Sequence, residues 1–162
     1  MEANALYKLA EQLGQVLSAA EYRLVTAESC TGGGIAKICT EVAGSSAWFD
    51  CAWVTYSNQS KQDLLGVSAQ TLLEHGAVSE ATVVEMVQGA LKRAKAQVAI
   101  AVSGIAGPTG GTVYKPVGTV CIAWLIVGQE VQAKTFYFQG DRSKIRDSAV
   151  AEALRYLLSL LQ

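Results

Sequence analysis

A chain of 162 residues, 51% hydrophobic and 17% charged, is long enough for a single domain around one core and too apolar to be disordered. Its net charge of −1 argues against the strongly basic surface that a nucleic-acid-binding protein needs. The longest apolar run, Val120 to Val127, has the length of a buried strand and falls far short of the about 18 residues of a membrane span. Neither nucleic acid nor membrane is therefore expected as a partner.

In chain order, Leu6, Leu9, Leu13, Val16 and Leu17 fall at helical spacing and predict an amphipathic first helix. This start carries acids and lacks the basic end and apolar block of a signal peptide, so a cytoplasmic chain with reduced thiols is expected. Arg23–Ala27 reads as a strand running into Glu28-Ser29-Cys30-Thr31-Gly32-Gly33-Gly34, after which Ile35, Ala36, Ile38 and Cys39 begin a helix. Trp48–Tyr56 is aromatic and β-branched enough for a second strand. Short helices are expected over Ser57–Leu65 and Ala69–His75. Ser79 then caps a longer helix whose apolar face is Val83, Val84, Val87, Ala90, Leu91 and Ala94.

Val98–Val102 is continuously apolar, as a strand covered on both faces should be, and exits through Ser103-Gly104-Ile105-Ala106-Gly107-Pro108. Thr119–Val127 and Val131–Phe138 flank Gly128-Gln129, a pattern that predicts an antiparallel pair joined by a two-residue II′ turn. Asp141 caps a last helix carrying Ile145, Val150, Ala153, Leu154, Leu157, Leu158 and Leu161 on one side. Alternating strands and helices with one hairpin give a three-layer α/β/α sandwich with a mixed, mainly parallel sheet, a single domain over residues 1–162.

Cys30, Cys39, Cys51 and Cys121 contain no CxxC pair, so no zinc site or other metal centre is expected. Cys39, Cys51 and Cys121 read as buried structural thiols. Three polar or Gly-rich stretches follow predicted strands, and ligands in open α/β sheets bind outside the carboxyl ends of the strands. If the strands are parallel, their exits gather Glu28, Ser29, Thr31, Tyr56, Lys61, Ser103 and Thr109 into one cleft.

Ser29 and Cys30 are both candidate nucleophiles, and either needs a base. The single histidine, His75, precedes a glycine at a helix end, an ordinary C-terminal signature. Lysine is the remaining base, and Lys61 lies five residues beyond Tyr56. At its ordinary pKa of about 10.4 a lysine accepts no proton at neutral pH, and making it a base costs roughly 4 kcal/mol of desolvation and polar surroundings. The plainer alternative is a solvated surface lysine. Gly32 and Gly33, like Gly104, either serve tight turns or expose backbone N–H groups to an anion. Glu28 either orients a base, binds a ribose hydroxyl or favours a helix N-terminus. Arg142 either reaches a phosphate or sits in a solvated first helical turn.

Taken together, AESCTGG, AGSSAWF, VTYSNQSK, LEHGAVSE, SGIAGPTGG and KPVGTV resemble the C-terminal domain of the competence/damage-inducible protein CinA, from about residue 5 to 160. The resemblance implies hydrolysis of nicotinamide mononucleotide to nicotinate mononucleotide and ammonia, by a serine amidase that uses lysine as base. It assigns Ser29 as nucleophile, Lys61 as general base and Tyr56 as proton relay or orienting partner. Ser103, where the family often carries threonine, and Arg142 fall in the substrate site. Glu28, Cys30, Thr31, Gly32, Gly33 and Gly104 are carried along as substrate-binding candidates. No cofactor is implied, and a homo-oligomer is expected. The family also contains paralogues of doubtful activity, so a nucleotide-binding regulatory module is the rival reading. A partner in DNA uptake or damage response is suggested only by the family's name.

Overall fold

The computed structural model describes residues 3–162. Helix α1 (Ala3–Ala20) buries Leu6, Ala10, Leu13 and Leu17, while Leu9 and Val16 pack at the margin of the core. Strand β1 (Leu24–Glu28) is buried along its whole length. After the glycine turn come α2 (Gly34–Thr40), a single 3₁₀ turn over Ser45–Ala47 and strand β2 (Phe49–Val54). Helices α3 (Asn58–Leu65), α4 (Ala69–His75) and α5 (Glu80–Arg93) follow, each N-capped by a serine side chain: Ser57, Ser68 and Ser79. Strands β3 (Val98–Gly104), β4 (Thr119–Ile126) and β5 (Gln132–Tyr137) lead to α6 (Arg142–Leu161), capped by Asp141.

The five strands form one sheet in the order β2-β1-β3-β4-β5. β1 pairs in parallel with β2 and β3, and β4 pairs antiparallel with β3 and β5. Four strands therefore share one direction and β4 opposes them, giving the expected mixed sheet. Alternation along the strands gives the two faces different sizes. Leu24, Val98, Ile100, Val102, Val120, Ile122 and Trp124 face the layer of α1, α2 and α6. Val25, Ala27, Ala99, Ala101, Cys121 and Ala123 face α5 and the residues around α3. Small side chains on that second face let its helices lie close.

Close approach continues between the helices. A methyl group on Gly89 of α5 would stand 1.9 Å from the carbonyl oxygen of Leu65, the last residue of α3. Glycine is what allows α3 to lean on α5.

Two expectations are corrected. The β4–β5 connection is longer than two residues, with Gln129 N–H closing a turn on Ile126 C=O. Gly128, at φ 79°, occupies the third position of that turn, so it is no II′ turn, which needs its positive φ one residue earlier. Cys51 is only half-buried, because β2 is an edge strand. Cys39 and Cys121 are buried, and all four thiols are free.

Candidate active site

The chain runs from β1 outward to β2, then crosses back to β3 on the other side of β1, so the sheet order reverses between β1 and β3. Their carboxyl ends flank the crevice where open α/β sheets take their ligands. β2 and β5 also end on this edge, since both run with β1 and β3. Four strand exits thus deliver Ser29 and Cys30, Thr55 and Tyr56, Ser103 to Gly110, and Arg142 to one place. Between them lies an open cleft of about 270 Å³.

At its floor, Lys61 Nζ lies 3.0 Å from Ser29 Oγ. Lys61 is only 1% exposed, although its side chain starts from the first turns of α3. Its amine donates to the carbonyl oxygen of Thr55 at 2.8 Å and approaches that of Tyr56 at 3.5 Å. It forms no ion pair with any described residue. Burial without a carboxylate holds its pKa below the ordinary lysine value. Ser29, 7% exposed, has its N–H fixed by Val102 C=O of β3. A serine hydroxyl and a desolvated amine in contact are the parts of an activated nucleophile.

Cys30 lines the same cleft, but burial pushes its thiol up to about 12, against the opposing pull of the Arg146 guanidinium. It stays protonated at neutral pH, so its sulfur is not the thiolate that a cysteine nucleophile needs. Gly32, at φ 59°, lets its N–H turn back onto Ser29 C=O at 3.0 Å. That bond points the opposite end of the Ser29–Cys30 peptide, the Cys30 N–H, the other way. Among the described residues the Cys30 N–H has no hydrogen-bond acceptor on another residue. The residue after a nucleophile at a strand-to-helix turn is where an oxyanion donor is found.

Glu28 is directed away from the cleft. It is fully buried and accepts from Thr26 Oγ1, Thr31 Oγ1, Ile35 N–H and Ala36 N–H at 2.8 to 3.1 Å. A carboxylate there satisfies the first amides of α2 and complements the positive end of its dipole. Thr31 is spent on that carboxylate, Gly32 on the turn, and Gly33 on capping α2. These four candidates shape the turn and do not line the cleft.

Ser103 and Gly104 do line it, and the Ser103 hydroxyl has no hydrogen-bond partner among the described residues. Arg142 spans the rim, with Nη1 on Gly107 C=O at 2.7 Å and Nη2 on the Tyr56 hydroxyl at 2.9 Å. Tyr56 thus meets Lys61 through its carbonyl, while its hydroxyl belongs to Arg142. The backbone N–H groups of Ala106, Gly107 and Gly110 are unpartnered among the described residues and line the same wall. His75 stands exposed at the end of α4, where its carbonyl accepts from Lys115. Sequence reasoning missed Thr55, Val102 and Arg146. The first two act through backbone carbonyls, which carry no residue-type signal, and Arg146 shares its helix face with Arg142 at i, i+4.

A three-layer α/β/α domain with a buried serine–lysine contact at its topological switch point defines the class. The sequence profile of the CinA C-terminal domain matches residues 6–161, and the chain belongs to that family. It is 51% identical to the protein named nicotinamide-nucleotide amidohydrolase PncC from Escherichia coli K12, over 97% of this chain and 95% of that one. A protein of the same name from Pseudomonas putida is 49% identical, over 94% of each chain. A CinA-like protein from Syntrophobacter fumaroxidans is 47% identical across 94% of this chain but only 36% of its own length. Among solved structures, competence/damage-inducible protein CihA from Agrobacterium tumefaciens has a TM-score of 0.94 and 43% identity, covering 98% of this chain and 96% of that one.

Proposed function

We propose that the chain hydrolyses the carboxamide of nicotinamide mononucleotide, giving nicotinate mononucleotide and ammonia. The observation that carries this reading is the 3.0 Å contact between Ser29 Oγ and the buried, carboxylate-free amine of Lys61. It sits in a chain half identical to proteins named for that activity.

Neutral Lys61 has two N–H donors and one lone pair. The Thr55 and Tyr56 carbonyls accept the donors, which leaves the lone pair for the Ser29 hydroxyl. Ser29 Oγ bonds to the carboxamide carbon as its proton passes to Lys61 Nζ. The carbonyl oxygen becomes an oxyanion facing the Cys30 N–H. On collapse the C–N bond breaks, and Lys61 returns the proton to the departing nitrogen, which leaves as ammonia. Water then attacks the Ser29 ester, losing a proton to Lys61, and Ser29 departs with that proton.

Arg142 has donors to spare beyond the two it spends on Gly107 and Tyr56, and together with the free amides of the Ala106–Gly110 wall it suits the 5′-phosphate. Tyr56 orients Arg142 and Lys61 in this scheme and relays no proton. Ser103 offers a hydroxyl to the substrate.

Acid quenching during turnover, followed by peptide mass analysis, is expected to find a nicotinate-mononucleotide ester on Ser29; an ester on Cys30 would contradict the assignment. No metal or organic cofactor takes part in these steps. Full turnover is expected in the presence of a chelator, and a loss restored by a divalent cation would contradict it. The reading extends to a homo-oligomer, supported by Leu73, Val113 and Tyr114 standing 82% to 94% exposed. Sedimentation that stays monomeric at every concentration would count against it.

A further inference from the structure

Arg146 stands on α6 one turn beyond Arg142, so one helix face delivers two guanidinium groups to the site. Arg142 reaches the open rim, and Arg146 goes behind the nucleophile turn. Its Nε donates to Cys30 C=O at 3.0 Å and its Nη2 to Thr31 C=O at 3.2 Å. No carboxylate lies in ion-pair range of it among the described residues. A half-buried guanidinium more than 110 residues away in sequence is thus held by two successive peptide oxygens of the turn that carries Ser29.

We propose that Arg146 is a positioning residue for the amidase reaction, clamping the Ser29–Gly32 turn so that the Cys30 N–H stays aimed at the oxyanion. Two geometric links carry it. Holding the Cys30 and Thr31 oxygens toward α6 turns the Thr31 and Gly32 N–H groups to the opposite side, since each peptide is planar and trans. Gly32 N–H then meets Ser29 C=O, and that bond fixes the peptide whose other end is the Cys30 N–H. Charge carries a third link. The Arg146 guanidinium is the largest influence favouring a negative charge at the Cys30 side chain, and an oxyanion formed beside Cys30 gains from the same field.

The inference rests on the amidase reading, so it needs one measure with turnover and one without. With nicotinamide mononucleotide as substrate, Arg146→Met is expected to lower kcat by about 10- to 100-fold, less than outright removal of an oxyanion donor. KM should stay within about threefold, and the melting temperature should be close to that of the wild type. Arg146→Lys should recover part of the loss, and guanidinium ion added to Arg146→Ala should raise its rate at least about fivefold. A kcat of Arg146→Met within twofold of wild type, a loss confined to KM, or absence of any rescue would overturn the proposal. Amide hydrogen exchange reads the clamp without chemistry. Gly32 N–H should exchange about tenfold faster in Arg146→Met while β1 and β3 amides are unchanged; equal Gly32 exchange would overturn it. Wild-type protein that releases no ammonia yet shows the exchange change would sink the amidase reading and leave the clamp standing.

Discussion

Lys61 keeps an amine among carbonyl oxygens and apolar walls, where the charged form is disfavoured. Because its folded pKa lies below the unfolded value, the unfolded chain binds more protons between those two pH values. Stability therefore rises with pH across that window, and below it the dependence vanishes. Lys61→Met should flatten this rise in denaturant midpoints measured against pH while cutting turnover by about 10²- to 10⁴-fold, the contribution of a general base. A midpoint profile unchanged by the substitution would mean that Lys61 titrates normally. Beside it, the Thr55 hydroxyl is buried and without a partner among the described residues. Thr55→Val keeps the shape and removes an unpaired polar group, so it should be neutral or stabilising by about 1 kcal/mol in equilibrium unfolding. At this scale the sequence was half legible. Ser29 and Lys61 were candidates by residue type, but the elimination of histidine could not decide between a base and a solvated lysine. Burial is what separates those readings, and burial depends on residues distant in sequence.

Glycine and carboxylate set the geometry between elements. Gly89 has no room for a methyl group against the Leu65 carbonyl, and that carbonyl ends the helix that carries Lys61. Gly89→Ala must push α3 from α5, costing about 1 to 3 kcal/mol of stability and lowering turnover through Lys61. Unchanged stability and rate would show that the two helices separate freely. Glu28 ties β1 to α2 through two backbone amides, with Thr26 and Thr31 completing its partners. Glu28→Gln replaces one acceptor oxygen by a donor facing those amides or hydroxyls. A loss of about 1.5 to 3 kcal/mol in chemical unfolding is expected, the value of a hydrogen bond to a charged group, whereas a variant as stable as wild type would contradict this role. Elements themselves were well legible: helical spacing, the exit from the glycine turn, β-branched content and continuous apolar runs together located the six helices and five strands of the described residues, and Ser79 and Asp141 cap where their sequences suggest. The turn after β4 was not, because Gly128 fits several turn types and only strand register selects one.

For the whole molecule, the alternation of helix and strand already implied a layered sheet with a cleft at the strand exits. Strand order was beyond reach, since adjacency of β1 and β3 depends on non-local pairing that no single segment encodes. That order is what places Ser29 beside Ser103 and opposes Arg142 to Tyr56. The Glu28, Thr31, Gly32 and Gly33 cluster neighbours Ser29 in sequence, yet none of the four lines the cleft: Glu28 and Thr31 are buried and hydrogen-bonded to each other, while Gly32 is exposed on the turn. Hydrolysis of the carboxamide by the Ser29–Lys61 pair is the central claim, and ammonia release from nicotinamide mononucleotide by wild type and Ser29→Ala tests it most directly. Steady release by the wild type, with at least about a 10³-fold loss in a folded Ser29→Ala variant, is the predicted result. Folded wild-type protein that releases no ammonia, or a Ser29→Ala variant that keeps most of the rate, would contradict it.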